Sequence, residues 1–215
     1  MNFLRQRKIR HIIFDCDNIL VNTDTVLISV MLDVLEEQGI EIHLDQLIKI
    51  FGGRSIEESA LILQKICKTD FHDDFCSNLA KKFENEIFHG LESLPGVKKF
   101  LETTNCKISL LTSQDHQQLQ RKLFLTGLHY YFDETNTHIT SEVNYGDSLL
   151  ALIEKNVVAP SLSLLIKDRP AQISASLKNG ISIASSSSFP IETINNANIY
   201  HYEVIEDLHK RYKFT

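Results

Sequence analysis

The chain of 215 residues has no tryptophan, only four cysteines and no long apolar run. Cys16, Cys67, Cys76 and Cys106 form no CxxC pair and no His/Cys cluster with zinc-ligand spacing, so we expect isolated thiols in a reducing compartment. No stretch approaches the roughly 18 apolar residues of a membrane span, and the first apolar run is too short for a signal-peptide core. These absences predict a cytoplasmic protein with no membrane partner.

Positive charge is also scarce, because 22 Lys and Arg face 28 Asp and Glu, giving a net charge of −6. Nucleic-acid-binding proteins usually present a basic face, so we expect no nucleic-acid partner, although one small phosphate ligand remains compatible with this charge. The hydrophobic fraction of 43% is enough for a packed core. The length suits a single domain or a core carrying an insertion, and we expect a monomer or a homodimer.

Four apolar segments without polar alternation predict strands buried on both faces, as in a parallel sheet. They are "KIRHIIFD" (8–15), "KISLLTS" (107–113), "SLSLLIKD" (161–168) and the weaker "GISIASS" (180–186). Segments with helical periodicity separate the later strands, and this alternation is typical of a doubly wound α/β sheet. Residues 22–94 contain only amphipathic helical patterns. We therefore predict a core of residues 1–21 and 95–215, with an inserted helical cap at 22–94.

Polar side chains stand where three of these strands end. Asp15 and Asp17 follow the first, Thr112 and Ser113 end the second, and Asp168 ends the third. Ligands bind at the carboxyl ends of parallel strands, so these residues are expected to converge. Asp15 could act as a nucleophile on a phosphate ester, Asp17 could exchange a proton with the leaving group, and carboxylates could hold Mg²⁺.

Each of these signals alone has a simpler interpretation. A lone DxD pair is usually a surface or capping feature, and a Thr-Ser pair at a strand-to-helix turn is usually an N-cap. The conjunction at three separate strand ends favours the functional interpretation.

The same motifs resemble the haloacid dehalogenase superfamily, in the helical-cap branch that holds β-phosphoglucomutase and small sugar-phosphate phosphatases. "FDCDNILVNTD" (14–24) resembles the first family motif, FDxDGTLxDS, and "ISLLTSQDHQQLQRKLFLTGLHYYFD" (108–133) resembles the second motif with its following helix. The region 147–181 resembles the fourth motif without a gap. The resemblance implies a Rossmann-like core and covers nearly the whole chain.

The resemblance also implies roles for individual residues. Asp15 would form an aspartyl phosphate, Asp17 would be the general acid and base, and Thr112 with Ser113 would bind the phosphate. Asp15, Asp168 and, through its main-chain carbonyl, Asp17 would be the magnesium ligands. Arg54, in "FGGRSIEES" (51–59), would contact the substrate from the cap, with a surface charge beside a Ser55 N-cap as the alternative.

The sequence departs from the family pattern at four positions. Asn18 replaces a glycine, which is a mild change because Asn tolerates unusual backbone angles, and Ile19 replaces a small hydroxyl residue. Val143 stands where the family has a lysine, and no other lysine is close to it in the chain. Lys167 replaces the acid that usually precedes the last aspartate.

Two interpretations of Lys167 remain open from the sequence. Its side chain either enters the site and supplies the missing positive charge, binding phosphate and weakening Mg²⁺, or it points to solvent in a decayed site. The expected function is a phosphomonoester hydrolase that acts on a small phosphorylated metabolite through an aspartyl phosphate. The alternatives are a weak or inactive relative that binds a phosphorylated ligand, and a phosphomutase of the β-phosphoglucomutase type.

Overall fold

The structure is a computed structural model that describes residues 6–51, 56–69, 71, 74–141, 143–186 and 199–215. The chain divides into two compact units. The first unit contains the described residues of 1–21 and 93–215, and the second contains those of 22–92. Strands occur in the first unit, whereas the second is helical in its described residues.

The strands of the first unit form two parallel sheets. Their bounds are β1 (Arg7–Ile9), β2 (His11–Phe14), β3 (Lys107–Thr112), β4 (Thr137–Ile139), β5 (Ser163–Ile166), β6 (Ser182–Ser186), β7 (Ile199–Tyr202) and β8 (Tyr212–Phe214). The large sheet has the order β4-β3-β2-β5-β6-β7, and β1 pairs with β8 in a separate two-stranded sheet.

The helices connect these strands in the first unit and make up the second. Their bounds are α1 (Thr23–Glu37), α2 (Leu44–Phe51), α3 (Ile56–Cys67), α4 (Phe75–Gly90), α5 (Val97–Thr103), α6 (His116–Leu125), α7 (Tyr145–Lys155), α8 (Pro170–Leu177) and α9 (Leu208–Arg211). Three short 3₁₀ segments also occur in the described residues, at Leu128–Tyr130, Pro160–Leu162 and Ile205–Asp207.

The strand order reverses at β2. From β2 the chain builds the sheet outward through β3 and β4, and it then returns to the other side of β2 to add β5, β6 and β7. The predicted doubly wound parallel α/β sheet is therefore confirmed. Such a reversal opens a crevice at the carboxyl ends of the two central strands, which is where ligands bind in open α/β sheets.

Apolar residues cover both faces of the central strand, which explains its lack of alternation. Ile13 packs with Leu149 of α7 in a buried cluster. The next residue, Phe14, makes edge-on ring contacts with Phe100 of α5 and with Phe132. β2 therefore lies between two helical layers.

The structure corrects two details of the predicted strands. The segment predicted as one strand over 8–15 is two strands that separate at Arg10, because β1 leaves the large sheet to pair with β8. The edge strands β4 and β7 were not predicted. They have three and four residues, with partly exposed side chains that give no continuous apolar signal.

The second unit packs α1 to α4 around its own apolar core. Buried side chains from all four helices form one cluster, with Leu35, Phe51, Leu63 and Leu79 among its members. Within the described part of the chain, we find no helix with the length and apolarity that a membrane crossing requires.

Candidate active site

The nucleophile candidate lies at the carboxyl end of β2, at the point where the strand order reverses. The register pairs Phe14 with Ile166 of β5, so the next residues along each strand, Asp15 and Lys167, emerge side by side. The backbone N–H of Asp15 donates to the carbonyl of Ile166 over 3.2 Å, so the two strands are still hydrogen-bonded where Asp15 and Lys167 emerge. Asp15 and Lys167 are both buried.

Lys167 forms a buried ion pair with Asp15. Its ammonium group donates to Oδ2 of the carboxylate, and the two side chains are only 3% and 9% exposed. The other oxygen, Oδ1, accepts from the backbone N–H of Cys16 at 2.8 Å. Of the two orientations left open by the sequence, the structure therefore has the one in which Lys167 enters the site.

The aromatic ring of Tyr145 lies next to this ammonium group. The Nζ atom of Lys167 lies 4.8 Å from the centre of the Tyr145 ring, within the range of a cation–π interaction. Burial raises the pKa of the Tyr145 hydroxyl, and the negative charge of Asp15 raises it further. The hydroxyl is buried and has no hydrogen-bond partner among the described residues. It is thus a protonated donor beside the ion pair.

Val143 takes no part in this arrangement. Its side chain is 95% exposed, so the position that aligned with the family lysine faces solvent. The positive charge beside Asp15 comes instead from Lys167.

Asp17 is held by a second lysine, which the sequence analysis missed. Lys122 of α6 lies with Nζ 2.6 Å from Oδ1 of Asp17, and Gln114 Nε2 donates to Oδ2. The Lys122 side chain is 8% exposed and that of Asp17 is 22% exposed. The available signal was that Lys122 follows Leu119 by three residues and precedes Leu123, which places a charge on the buried face of the helix.

A tight turn after β2 carries Asp17 away from the sheet. Asn18 has a φ of 57°, in the left-handed region, and its N–H donates to the carbonyl of Val21 at 2.9 Å. Asn is among the residues that adopt this conformation most readily, so the replacement of the family glycine keeps the turn. Cys16, inside the turn, is fully buried, and this burial raises the pKa of its thiol well above the usual value.

The predicted phosphate-binding residues lie at the end of β3. Thr112 is buried, and its hydroxyl accepts from the N–H of Gln114 at 3.3 Å, whereas Ser113 is exposed. Asp115 caps α6 by accepting from the N–H groups of Gln117 and Gln118. Two N–H groups of the helix N-terminus are therefore already occupied by the chain itself. The roles of Thr112 and Ser113 stay predictions.

Asp168 is buried directly after Lys167 at the end of β5. Burial raises the pKa of Tyr202 on β7, and the negative charge of Asp168 raises it further. Arg54, predicted as a specificity residue, lies outside the described residues.

The carboxylates do not fit a strong magnesium site. Carboxylate and carbonyl oxygens are the ligands that Mg²⁺ prefers, but the Lys167 ammonium group already contacts the Asp15 carboxylate, and the Lys122 ammonium group contacts the side chain of Asp17. Within the described ranges, no three His, Cys, Asp or Glu side chains are grouped to hold a metal ion. The magnesium roles of these residues stay predictions.

Comparison with known proteins adds a family match to this geometry. Residues 12–185 match the family model described as haloacid dehalogenase-like hydrolase. A Clostridium perfringens (strain 13 / Type A) protein named "Putative pyrophosphatase PpaX" is 26% identical over 209 residues, which cover 88% of this chain and 90% of that protein. The 6-phosphogluconate phosphatase of Escherichia coli (strain K12) is 23% identical over 133 residues, which cover 59% of this chain and 58% of that enzyme.

A solved structure shares the fold. The HAD family hydrolase from Deinococcus radiodurans R1, crystallised with bound phosphate and sodium, superposes with a TM-score of 0.70 at 18% identity. The match covers 84% of this chain and 81% of that one.

Proposed function

Since the chain belongs to the haloacid dehalogenase-like hydrolase family, we propose that it hydrolyses the phosphomonoester of a small metabolite through an aspartyl phosphate on Asp15. The observation that carries this proposal is the position of Asp15. It follows β2 at the strand-order reversal, and Asp17, two residues later, is oriented by Lys122 and Gln114. The relatives named as phosphatases support the same reaction class.

The proposed reaction has two displacements at phosphorus. An oxygen of Asp15 forms a bond to phosphorus while the bond to the ester oxygen breaks, and protonated Asp17 gives its proton to the departing oxygen. Asp17 then takes a proton from a water molecule whose oxygen attacks phosphorus. The bond to Asp15 breaks, and inorganic phosphate leaves. Asp17 must face the departing ester oxygen in the first step and the attacking water in the second, and its contacts with Lys122 and Gln114 restrict its orientation.

Lys167 has two opposing effects on the first step. Its positive charge offsets the repulsion between the Asp15 carboxylate and an approaching phosphate anion. Its hydrogen bond to Oδ2 also withdraws electron density from an attacking carboxylate, while the N–H of Cys16 occupies Oδ1. We expect Oδ2 to be the attacking atom, with Lys167 transferring its contact to a phosphate oxygen. Mg²⁺ would supply further charge, and the ion pairs predict that it binds weakly.

The second effect of Lys167 favours one alternative function. A chain in which both oxygens of Asp15 stay engaged by donors would bind a phosphorylated ligand without turning it over. The hydrolase remains our proposal, because the nucleophile, the proton-transfer residue and the threonine at the end of β3 are all present.

The test is turnover of p-nitrophenyl phosphate and a panel of sugar phosphates by wild type and by Asp15→Asn. The amide cannot form the acyl phosphate, so we expect wild-type activity and none in the variant. Asp45→Asn, the same change at an exposed position of α2, is the matched control and should keep full activity. Equal inactivity of wild type and Asp15→Asn across the panel would support the non-catalytic alternative, and full activity of Asp15→Asn would exclude both.

A further inference from the structure

Two ion pairs balance the charges of Asp15 and Asp17. Two carboxylates, Asp15 and Asp17, contact two ammonium groups, Lys167 and Lys122, so these four side chains carry no net charge when all of them are ionised. A glutamate at position 167 would leave the same group with two excess negative charges. One magnesium ion carries the charge needed to neutralise that excess. Compared with a glutamate at this position, Lys167 therefore adds two units of positive charge, which is the charge that a bound divalent cation would add.

The contacts of the Lys167 ammonium group do not use all of its N–H donors. An ammonium group has three N–H donors. One is used by Oδ2 of Asp15, and the Tyr145 ring can take a second. The third meets no hydrogen-bond acceptor among the described residues. Because the Lys167 side chain is 3% exposed, bulk solvent does not readily supply one.

Tyr145 offers a second buried donor. Its hydroxyl has no hydrogen-bond partner in the described part of the chain, although leaving a buried hydroxyl without a partner is destabilising. Burial and the charge of Asp15 both keep it protonated at neutral pH. Buried donors with no acceptor suit a ligand that carries several acceptor oxygens. A phosphate group has this chemistry, and a divalent cation does not.

We propose that the ammonium group of Lys167 takes the place of a divalent cation in this site, so that phosphate binds there in the absence of divalent metal. The inference rests on the proposed function only in locating the phosphate at Asp15. It concerns binding, whereas the proposed function concerns bond cleavage, so each can fail without the other.

Calorimetric titration with inorganic phosphate tests the inference. Wild type is measured in excess EDTA and in excess Mg²⁺, and Lys167→Glu is measured in the same two solutions. We expect wild type to bind phosphate equally in both. In Lys167→Glu, Mg²⁺ should tighten phosphate binding by about fivefold or more, the lower end of the usual coupling between two ligands.

Two further variants keep the test decisive if Lys167→Glu does not fold. Lys167→Met in EDTA should lose phosphate binding, and Asp15→Asn/Lys167→Met removes both partners of the ion pair and should fold while also failing to bind. The inference is overturned if wild-type binding requires Mg²⁺, or if either methionine variant binds phosphate in EDTA as tightly as wild type does.

Discussion

The ammonium group of Lys122 lies 2.6 Å from Oδ1 of Asp17, although 105 positions separate the two residues in the chain. This contact joins α6 to the turn that follows β2. It orients the residue proposed to exchange protons with the substrate. It also places a positive charge beside Asp17, two residues after Asp15.

Replacing Lys122 by methionine should impair both catalysis and stability. The loss of the ammonium group releases Asp17 from its orientation, and small misplacements of catalytic groups cost on the order of a hundredfold in rate. The free energy of unfolding should fall by about 2 kcal/mol, between the values for surface and buried ion pairs. Steady-state kinetics and urea denaturation measure the two effects.

The matched control for this variant is Lys82→Met. Lys82 pairs with Glu37 over 2.5 Å, but the two side chains are 44% and 64% exposed. The free energy of unfolding should change by about 1 kcal/mol or less. If Lys122→Met lowers stability and rate no more than Lys82→Met does, Lys122 does not orient Asp17.

The Asp15–Lys167 pair should show strong coupling in a double-mutant cycle. Lys167→Met leaves a buried carboxylate without its partner, which should lower the free energy of unfolding by about 3–5 kcal/mol. Asp15→Asn in the Lys167→Met background removes the unpaired charge and should restore a large part of that loss. Urea denaturation of the wild type, both single variants and the double variant gives the coupling energy. Additive effects would show that the two side chains do not interact in solution.

Magnesium alone should bind weakly to the wild type and more tightly to Lys167→Glu. The substitution removes a positive charge beside Asp15 and adds an oxygen ligand, and both changes favour a divalent cation. Calorimetric titration with MgCl₂ in phosphate-free buffer measures the two affinities. Equal affinities would mean that Lys167 is not part of the metal-binding region.

The free energy of unfolding should decrease at acid pH because of His11, which has no part in the proposed reaction. Burial, together with nearby Lys107 and His138, lowers the pKa of His11 from 6.5 to about 4. The unfolded chain therefore takes up a proton at a higher pH than the folded chain. The stabilisation from neutral His11 is fully present above pH 6.5 and is lost as the pH falls to about 4, with a magnitude of about 3 kcal/mol.

His11→Gln tests this assignment. The amide can still pair with the Ser109 hydroxyl, which lies 2.9 Å from Nε2 of His11, but it does not titrate. The fall in stability between pH 6.5 and pH 4 should be smaller in this variant by about 3 kcal/mol. His43→Gln changes an exposed imidazole and should leave the wild-type profile intact. An unchanged profile in His11→Gln would assign the acid sensitivity to other groups.

The sequence predicted the central strands and their ends because both faces of the sheet are covered. Short apolar runs such as residues 107–112 are typical of strands buried on both faces, and the polar residue after each run marks the carboxyl edge. The short edge strands β4 and β7 were not predicted, because half-exposed segments of three or four residues resemble loops in the sequence.

The site was less predictable than the fold. Asp15 and Asp17 could be named because they adjoin a strong strand signal, and Asn18 was correctly judged compatible with the turn. The direction of Lys167 depended on the register between β2 and β5, which the sequence does not state. Lys122 was missed because its partner is distant in the chain, and only its place on the apolar face of α6 could have revealed it.

The most direct measurement is mass spectrometry of the protein quenched in acid during turnover of a phosphomonoester. We expect the mass of one phosphoryl group on the peptide that contains Asp15, and no such adduct in Asp15→Asn. Acid preserves acyl phosphates well enough for this comparison, whereas hydroxylamine should remove the adduct. Turnover by the wild type with no phosphoryl group on that peptide, together with undiminished turnover by Asp15→Asn, would contradict the proposed mechanism.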